Sequence, residues 1–254
     1  MRNRLKFKLS KTKNFGALRV LYDKRLAENF RKDSGLIYVV KSIGWPFLSL
    51  RNYWLVDGFI EREIGKLIKK YLNRDSVFLE VGCGDMGLKR YLPKDAYYNA
   101  FDISLSEFFL MKASRDRKRI NIALCSAEEI PLASNTASLI VSTEVLEHIR
   151  NIDKAMKEIR RVLKKDGFFI VSIPNNYCHK YRIKGPHEDH INNWTFEGFR
   201  KYVESAGFKT VESFMRGYWI PISPWLTPTS YQLPIASKKE YFNTNFFYVF
   251  QKSA

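Results

Sequence analysis

The sequence is poor in cysteine, in long apolar runs and in acidic residues. Three cysteines in 254 residues are too few for a disulfide framework, which points to a reducing compartment. The basic start, MRNRLKFKLSKTKNF, lacks the apolar stretch of a signal peptide. The most apolar stretch, residues 42–50, is short and interrupted by Pro46, whereas a membrane-spanning helix needs ~20 apolar residues. We therefore expect a cytoplasmic protein without a membrane-spanning helix.

The shortage of acidic residues leaves a net charge of +17, and six cations with no acid occupy the first thirteen residues. Such a field favours an anionic partner, which includes nucleic acid, anionic membrane lipids and phosphorylated substrates. A solvated basic terminus is the alternative interpretation. Aromatic residues near these cations also suit peripheral contact with an anionic membrane. The sequence does not indicate the oligomeric state.

The hydrophobic pattern indicates one large α/β domain with an N-terminal appendage. An amphipathic helix is predicted over 55–72. From residue 76, short apolar runs alternate with helical stretches, which is typical of a mainly parallel sheet covered by helices on both faces. The predicted strands are 77–81, 97–101, 120–124, 139–142, 168–173, 209–214 and 246–250, and the predicted helices are 104–117, 152–163 with Gly167 as C-cap, and one between Thr195 and Gly207.

Two further segments complete the predicted domain organisation. Residues 1–54 are interpreted as a basic, aromatic N-terminal helical extension, and residues 55–254 as the main domain. Residues 215–245 are too long for an ordinary turn and rich in proline and tryptophan. Long segments of this kind are usually functional, so we expect a lid-like insertion there.

A glycine-rich turn, LEVGCGDMG over 79–87, follows the first predicted strand of the main domain. Glycines at a strand-to-helix turn allow a ligand to approach the backbone closely. Asp102 ends the next strand, where a carboxylate can accept hydrogen bonds from both hydroxyls of a ribose. Both a dinucleotide and S-adenosylmethionine (SAM) fit this pattern. Glu80, an acid beside the glycines, favours SAM, which carries no phosphate.

At this point the sequence resembles the class I SAM-dependent methyltransferases, specifically the type 11 group with the ubiquinone-biosynthesis O-methyltransferase pattern. The resemblance covers residues 76 to about 210. It rests on LEVGCGDMG, FDIS, SAEEIPL, SLIVSTEVLEHI and EIRRVLKKDGFFIVSIPN, in this order. It implies a Rossmann-like, seven-stranded, mostly parallel sheet of order 3-2-1-4-5-7-6, with strand 7 antiparallel. It also implies SAM as cofactor and S-adenosylhomocysteine (SAH) as product.

The resemblance also assigns cofactor contacts. The sequence departs from the family at two positions, with Met86 where a glycine is usual and Ser126 where an aspartate is usual. At the second departure, the contact with the adenine amino group is expected either to be weakened or to be made by the Ser126 hydroxyl. The implied contacts are Glu80, Gly82, Cys83 and Gly84 at the methionine end, Asp102 at the ribose, Ile103, Ser126, Ala127 and Glu128 around the adenine, and Thr143 beneath the methionine moiety, with the Cys83 thiol packed as a small apolar group.

Candidate catalytic residues follow the fourth strand, in the order Glu144, Glu147 and His148. His148 has a suitable ordinary pKa to act as general base for an acceptor hydroxyl. A divalent cation held by the trio, or a histidine that only packs beneath the cofactor, are the alternatives. In the family, the loop with His187 and His190 borders the acceptor pocket, so substrate contacts are expected there. The histidine spacing matches no zinc finger or ribbon, and we expect no metal.

The sequence therefore predicts a SAM-dependent methyltransferase that acts on an oxygen, or a nitrogen, of a small-molecule, saccharide or lipid-linked acceptor. An RNA methyltransferase that uses the basic N-terminus as a phosphate track is one alternative. A nicotinamide-dependent oxidoreductase would use the same glycines. A non-catalytic SAM-binding protein is a third alternative, since a fold does not determine a function.

Overall fold

The computed structural model describes residues 12–15, 18–22, 58–73, 76–84, 86–94, 96–103, 120–185, 187–220 and 231–253. The helix predicted over 104–117, residues 221–230 of the predicted lid and most of the 1–54 extension lie outside these residues. Within the described part of the chain, no helix is long and apolar enough to cross a membrane.

The described residues form four α-helices and eleven strands, and most of them lie within a few residues of the predicted bounds. The helices are α1 (Gly58–Tyr71), α2 (Ile152–Val162), α3 (His179–Lys184) and α4 (Phe196–Ser205). The strands are β1 (Thr12–Phe15), β2 (Leu18–Tyr22), β3 (Phe78–Val81), β4 (Tyr98–Asp102), β5 (Ile120–Leu124), β6 (Ala137–Thr143), β7 (Leu163–Pro174), β8 (Phe208–Arg216), β9 (Tyr218–Ile220), β10 (Tyr231–Leu233) and β11 (Asn245–Lys252).

One sheet contains nine of these strands, in the order β1-β2-β5-β4-β3-β6-β7-β11-β8. The seven strands from β5 to β8 have the predicted order 3-2-1-4-5-7-6. Neighbours from β5 to β7 are parallel, and β11 is antiparallel to both β7 and β8. The predicted Rossmann-like class I architecture is confirmed. It brings the carboxyl ends of β3, β4, β5 and β6 to one edge, where ligands bind in sheets of this kind.

The N-terminal part of the sheet differs from the prediction. β1 and β2 form an antiparallel hairpin, and β2 pairs in parallel with β5. The prediction of helix for residues 1–54 is therefore wrong at 12–15 and 18–22. Short apolar pieces such as LRVLY carry too few residues to distinguish a helix from a strand by periodicity.

Both faces of the sheet are buried, because the parallel strands carry apolar residues at nearly every position. On one face, α1 covers side chains that include Phe78, Val141 and Phe247. On the other face, α2 and α4 cover side chains that include Phe169 and Phe250. The predicted helices on both faces are confirmed by these two cores.

A polar pair lies inside this apolar sheet, between β4 and β5. The side-chain amide of Asn121 donates to the side-chain oxygen of Asn99 at 2.7 Å. The amide of Asn99 donates to the backbone carbonyl of Phe78 at 2.8 Å. Both asparagines are buried, so these hydrogen bonds offset the cost of removing their amides from water.

The helix ends agree with the prediction at one helix and differ at another. Thr195 caps α4 as predicted, since its hydroxyl accepts the Gly198 N–H at 3.1 Å. However, α2 ends at Val162, and Gly167 lies inside β7 instead of capping α2. The left-handed backbone (φ 59°) is taken by Asp166, which, as a short polar residue, adopts this conformation more readily than most.

The predicted lid-like insertion contains a small antiparallel sheet of β9 and β10. It is attached to the start of α3 by the buried side chain of His179. The Nε2 atom lies 2.7 Å from the Trp219 carbonyl oxygen, and Nδ1 lies 3.3 Å from the Tyr241 carbonyl oxygen. The imidazole also packs against Tyr218 and Phe242, at 5.2 and 5.7 Å between ring centroids. The described part of the insertion is therefore packed against the start of α3.

Candidate active site

The glycine-rich turn after β3 is hydrogen-bonded to the end of β4. The backbone N–H groups of Gly82 and Cys83 donate to the Phe101 carbonyl at 2.9 and 3.2 Å. The Gly84 N–H donates to Oδ2 of Asp102 at 3.0 Å. Gly82 and Gly84 adopt positive φ angles of 74° and 42°, which glycine tolerates without strain. The turn and the Asp102 carboxylate therefore form one rigid unit.

A cavity of about 420 Å³ opens at this edge of the sheet. It gathers Gly82 and seven more predicted site residues from four separate segments of the chain. It does not include Glu80, Cys83, Gly84 or Thr143 among its lining residues. The seven are Asp102, Ile103, Ser126, Ala127, Glu128, Glu144 and His148.

Two of the predicted adenine contacts take part in local hydrogen bonds. The Ser126 hydroxyl accepts the Glu128 N–H at 3.1 Å. The Glu128 side chain accepts the Asn151 N–H at 3.2 Å, which ties the loop after β5 to the start of α2. Ala127 is buried and Ile103 is 60% exposed. The loop after β5 therefore presents a fixed backbone at the cavity, and Ile103, directly after β4, presents an exposed apolar side chain beside it.

Glu80 and Cys83 lie within the protein interior. The Tyr98 hydroxyl donates to Oε2 of Glu80 at 2.5 Å, and both residues are buried. Burial, with the negative charges of Glu80 and Asp102 added, raises the pKa of the Cys83 thiol well above its ordinary value. The thiol is therefore protonated at neutral pH, as expected for a small apolar group. The sequence did not predict the Tyr98 partner of Glu80.

Glu144, directly after β6, has an unusual backbone and two side-chain partners. Its φ is 52°, and its N–H donates to the Ser172 carbonyl at 3.1 Å. The Ser172 hydroxyl donates to Oε1 at 2.7 Å, and the Asn245 amide donates to Oε2 at 3.0 Å. A non-glycine residue with positive φ costs free energy and is often found at a functional site. Here β7 and β11 hold the carboxylate in place.

A second cavity of about 320 Å³ lies beside the first. Glu144 lines both cavities and thus forms a shared wall. Burial, followed by the charge of Glu144, raises the pKa of Tyr181 above its ordinary value, so that its hydroxyl stays protonated. The remaining lining residues come from α1, β6, β7, α3, β11 and the residue before β11, namely Ile60, Glu61, Thr143, Pro174, Lys180, Asn245 and Thr244.

Glu147 and His148 lie in a short 3-10 turn after Glu144. The Glu147 side chain is 1% exposed, and neither carboxylate oxygen has a hydrogen-bond partner among the described residues. Burial, with a further contribution from Glu144, raises the pKa of Glu147 to about 9. His148 Nε2 lies 3.7 Å from Glu147 Oε1. His148 Nδ1 lies 2.9 Å from the Asp189 carbonyl oxygen, which can only accept, so Nδ1 donates.

The predicted substrate contacts His187 and His190 pack against His148. The His187 and His190 rings stack at 4.1 Å, and the His148 and His190 centroids lie 5.0 Å apart. His190 Nδ1 lies 2.8 Å from the Asn176 side-chain oxygen. Burial, followed by the neighbouring imidazoles of His187 and His148, lowers the pKa of His190 to about 4. His190 is therefore neutral at pH 7.

Sequence reasoning missed several residues that shape the site. Asn192 holds the 3-10 turn, because its backbone N–H donates to the Glu147 carbonyl at 3.0 Å and its side chain donates to the carbonyls of Leu146 and Ile149. Lys180 and Asn245 line the second cavity. The paired asparagines 175–176 and 192–193 were a visible signal, since asparagine side chains often hydrogen-bond to the backbone of loops. Lys180 and Asn245 carried no such signal.

Comparison with known proteins finds similarity in the central part of the chain. Residues 79–171 match the family model described as a methyltransferase domain. An uncharacterized protein of Methanocaldococcus jannaschii is 38% identical over 47% of this chain and 50% of its own length. A probable S-adenosylmethionine-dependent methyltransferase of Mycolicibacterium smegmatis is 26% identical over 66% of this chain and 64% of its own length. The chain thus spans about half to two thirds of these two curated relatives.

Solved structures agree on the fold. A Burkholderia thailandensis 1,6-didemethyltoxoflavin-N1-methyltransferase, crystallised with bound 1,6-didemethyltoxoflavin and SAH, superimposes with a TM-score of 0.59 at 15% identity. The match covers 96% of this chain and all of that one. At this identity the likeness concerns the fold alone. The family match over residues 79–171 favours the SAM interpretation of the glycine turn over the dinucleotide one.

Proposed function

We propose that this chain, which belongs to the class I SAM-dependent methyltransferases, methylates an oxygen, or a nitrogen, of a small-molecule, saccharide or lipid-linked acceptor. The observation that carries the proposal is the pair of adjacent cavities that share Glu144. Methyl transfer needs the reacting atoms to be held ~3–3.5 Å apart in one orientation. Two cavities with a common wall support such an arrangement, with the cofactor in the first and the acceptor in the second.

The residues of the first cavity fit an adenosyl cofactor. The backbone of Gly82 lines it without a side chain, and Asp102 supplies a carboxylate to the ribose hydroxyls. Ile103 offers an exposed apolar surface to the adenine, beside the loop of Ser126, Ala127 and Glu128. Bound SAM supplies a sulfonium methyl group to an in-line nucleophile. The three predicted contacts Glu80, Cys83 and Gly84 would support the cofactor indirectly, by holding the glycine-rich turn in place. Thr143 would contribute from the second cavity.

The second cavity fits an acceptor of modest size. Its volume of about 320 Å³ lies near the lower end of the ~300–1,000 Å³ range of small-molecule sites. Ile60 and Pro174 provide apolar contacts, while Lys180 and Tyr181 provide donors. A protonated tyrosine and a lysine would orient a hydroxylated acceptor through its oxygen atoms. An oxygen is therefore the favoured methylation site.

Among the predicted catalytic residues, Glu144 is the one placed to contact the acceptor. Because it lines both cavities, its carboxylate would accept the proton of an acceptor hydroxyl as the methyl group moves. His148 lines the first cavity only. His187 and His190 are not among the residues that line either cavity. We therefore assign acceptor binding to Lys180 and Tyr181 and keep His148 as a residue of the cofactor side.

A binding experiment tests the cofactor half of this proposal. We expect Asp102→Asn to weaken SAH binding by about tenfold or more (about 1.4 kcal/mol), because the amide removes one acceptor and the negative charge. The matched control is Asp166→Asn, the same change at an exposed position outside the cavity. The proposal is wrong if calorimetry shows that both variants bind SAH like the wild type, or that the wild type binds NADH but not SAH.

An acceptor screen with labelled SAM tests the other half. Lipid, saccharide, phenol and RNA acceptors are compared, and we expect label in one of the first three classes. Incorporation into RNA with a steep salt dependence would instead support the nucleic-acid alternative. If the protein binds SAM but transfers label to none of the four acceptor classes, a non-catalytic role is supported.

A further inference from the structure

We propose that Glu147, His148 and His190 form a site for one divalent transition-metal ion of the zinc class. The three residues each offer one ligand atom, and these atoms lie within 4.8 Å of one another. At metal–ligand distances of about 2.0–2.2 Å, ligand atoms around one ion lie up to ~4 Å apart. Small side-chain shifts would therefore bring all three ligand atoms within bonding distance of one ion. A metal ion here would differ from the expectation, drawn from the sequence, that the site holds none.

The first independent observation is the state of Glu147. Its carboxyl group is buried, and neither oxygen has a hydrogen-bond partner among the described residues. Leaving such a group without a partner costs free energy, and proteins normally satisfy it by pairing or by coordination. A cation beside Oε1 would supply the missing partner. The imidazole of His148, 3.7 Å away, is too distant for a hydrogen bond.

The second observation is the orientation of the two imidazoles. His148 Nδ1 donates to the Asp189 carbonyl at 2.9 Å. His190 Nδ1 lies 2.8 Å from the Asn176 side-chain oxygen, which also accepts. In a neutral imidazole this leaves the lone pair on Nε2 of both rings. Metal-bound histidines characteristically donate their other N–H to a carbonyl or carboxylate oxygen, which fixes the ring for coordination.

The choice of ion follows from the ligands. Two imidazoles and one carboxylate suit zinc and its neighbours, whereas magnesium and calcium prefer oxygen ligands throughout. Glu144 is not part of the set, because the ligand atoms that lie within 4.8 Å of one another belong to Glu147, His148 and His190. Three protein ligands leave coordination positions open for water or a substrate oxygen. Such an ion would also tie the 187–190 loop to the turn after β6, at the wall of the first cavity.

Metal binding is measured on the full-length protein with Zn²⁺ in competition with a chromophoric chelator. We expect one equivalent to bind with a dissociation constant of about 1 µM or tighter. Glu147→Gln and His190→Ala should each weaken binding by about tenfold or more, because the loss of even an outer-shell partner costs about 10–100-fold. The matched control is Glu188→Gln, the same change at an exposed carboxylate in the same loop, which should bind like the wild type. Equal binding by Glu147→Gln and Glu188→Gln would overturn the site.

A second measurement needs no substitution and therefore remains valid if the Glu147 variant does not fold. In ¹⁵N-labelled wild-type protein, Zn²⁺ should shift the imidazole nitrogen resonances of His148 and His190. Those of His179, which lies outside the set, should not move. Unchanged resonances of His148 and His190 at saturating Zn²⁺ would refute the site. Neither measurement depends on methyl transfer, so failure of the metal site and failure of the proposed activity are distinguishable.

Discussion

Glu144 and Asn245 are 101 residues apart in the chain, yet their side chains are joined by a hydrogen bond of 3.0 Å. The contact exists because β11 runs antiparallel to β7, so that its first residue reaches the carboxyl edge of the parallel strands. Both residues line the second cavity. The antiparallel strand β11 thus places the Asn245 amide, a hydrogen-bond donor, next to the Glu144 carboxylate that lies between the two cavities.

We expect Glu144→Gln to lower kcat by about 100-fold, a typical loss for a missing general base. The amide keeps the size of the side chain but cannot accept the acceptor proton. Binding of SAH should change little, because Asp102 and the glycine turn remain. Steady-state rates with the acceptor found in the screen and calorimetry with SAH measure the two effects.

The matched control for this change is Glu129→Gln, at an exposed position in the loop after β5. Its kcat should equal that of the wild type. If Glu144→Gln has the same kcat as the wild type, Glu144 is not the general base, and His148 becomes the candidate for that role.

Gly82→Ala should destabilise the glycine turn and weaken SAH binding. A Cβ at Gly82 would lie 2.3 Å from Cγ2 of Val145, and the φ of 74° already disfavours a side chain. We expect the free energy of unfolding to fall by about 1–3 kcal/mol from overpacking, with about 1–2 kcal/mol more from the left-handed backbone. Thermal and denaturant unfolding measure the loss.

Two further variants separate these causes. Among the described residues, a Cβ at Gly84 meets no atom within 4 Å, so Gly84→Ala should show the backbone cost alone. Adding Val145→Ala to Gly82→Ala should recover the part that comes from the clash. If the double variant is no more stable than Gly82→Ala, steric overlap with Val145 is not the cause.

The pair of Glu158 and Arg161 should make stability depend on pH. Arg161 binds both oxygens of Glu158 and also donates to the Leu132 and Ile130 carbonyls. Its guanidinium group holds the pKa of Glu158 below the ordinary value. The pair therefore stabilises the fold above the unfolded-state pKa, ~4.3, and this contribution is lost as pH falls through the lower folded-state pKa.

Glu158→Gln should accordingly lower the free energy of unfolding by roughly 1–2 kcal/mol at pH 7. The difference from the wild type should shrink as the pH is lowered towards and below 4.3, the ordinary glutamate value, by about the same amount. Denaturant unfolding at a series of pH values checks this. A difference that stays constant, or grows towards acid pH, contradicts the assigned sign.

His179→Leu should loosen the attachment of the 215–245 insertion. The substitution leaves the carbonyl oxygen of Trp219 without its donor in a buried environment, which costs about 1–3 kcal/mol. Hydrogen exchange of the backbone amides that pair β9 with β10 should become faster. His179→Gln, which keeps a side-chain donor, should show a smaller change. Unaltered exchange in the leucine variant would mean that the aromatic packing alone holds the insertion.

Most of the sheet could be predicted from the sequence, because its strands are short apolar runs separated by turn residues. The beginning of β7 was missed, since Lys164, Lys165 and Asp166 give no apolar pattern although they continue the strand from Leu163. The β1–β2 hairpin was missed as well. Pairing with β5 decides its structure, and such a partner cannot be read from five local residues.

The candidate site was predictable to a similar extent. Asp102, Ser126 and His148 meet in one cavity because parallel strands end at the same edge, so each strand end could be marked separately. Lys180 and Asn245 could not be found in this way. They reach the second cavity through α3 and an antiparallel strand, whose placement depends on tertiary packing. The ligand roles assigned by resemblance stay predictions until binding is measured.

The amide pair of Asn99 and Asn121 restricts how β4 can align with its neighbours. If β4 slipped by one residue, each amide would face apolar side chains, with an unsatisfied polar group buried on both strands. The same slip would move Asp102 by ~3.3 Å along the strand, out of reach of the Gly84 N–H. The uncharged side chains of Asn99 and Asn121, in the middle of the sheet, therefore determine the position of the Asp102 carboxylate at the edge of the sheet.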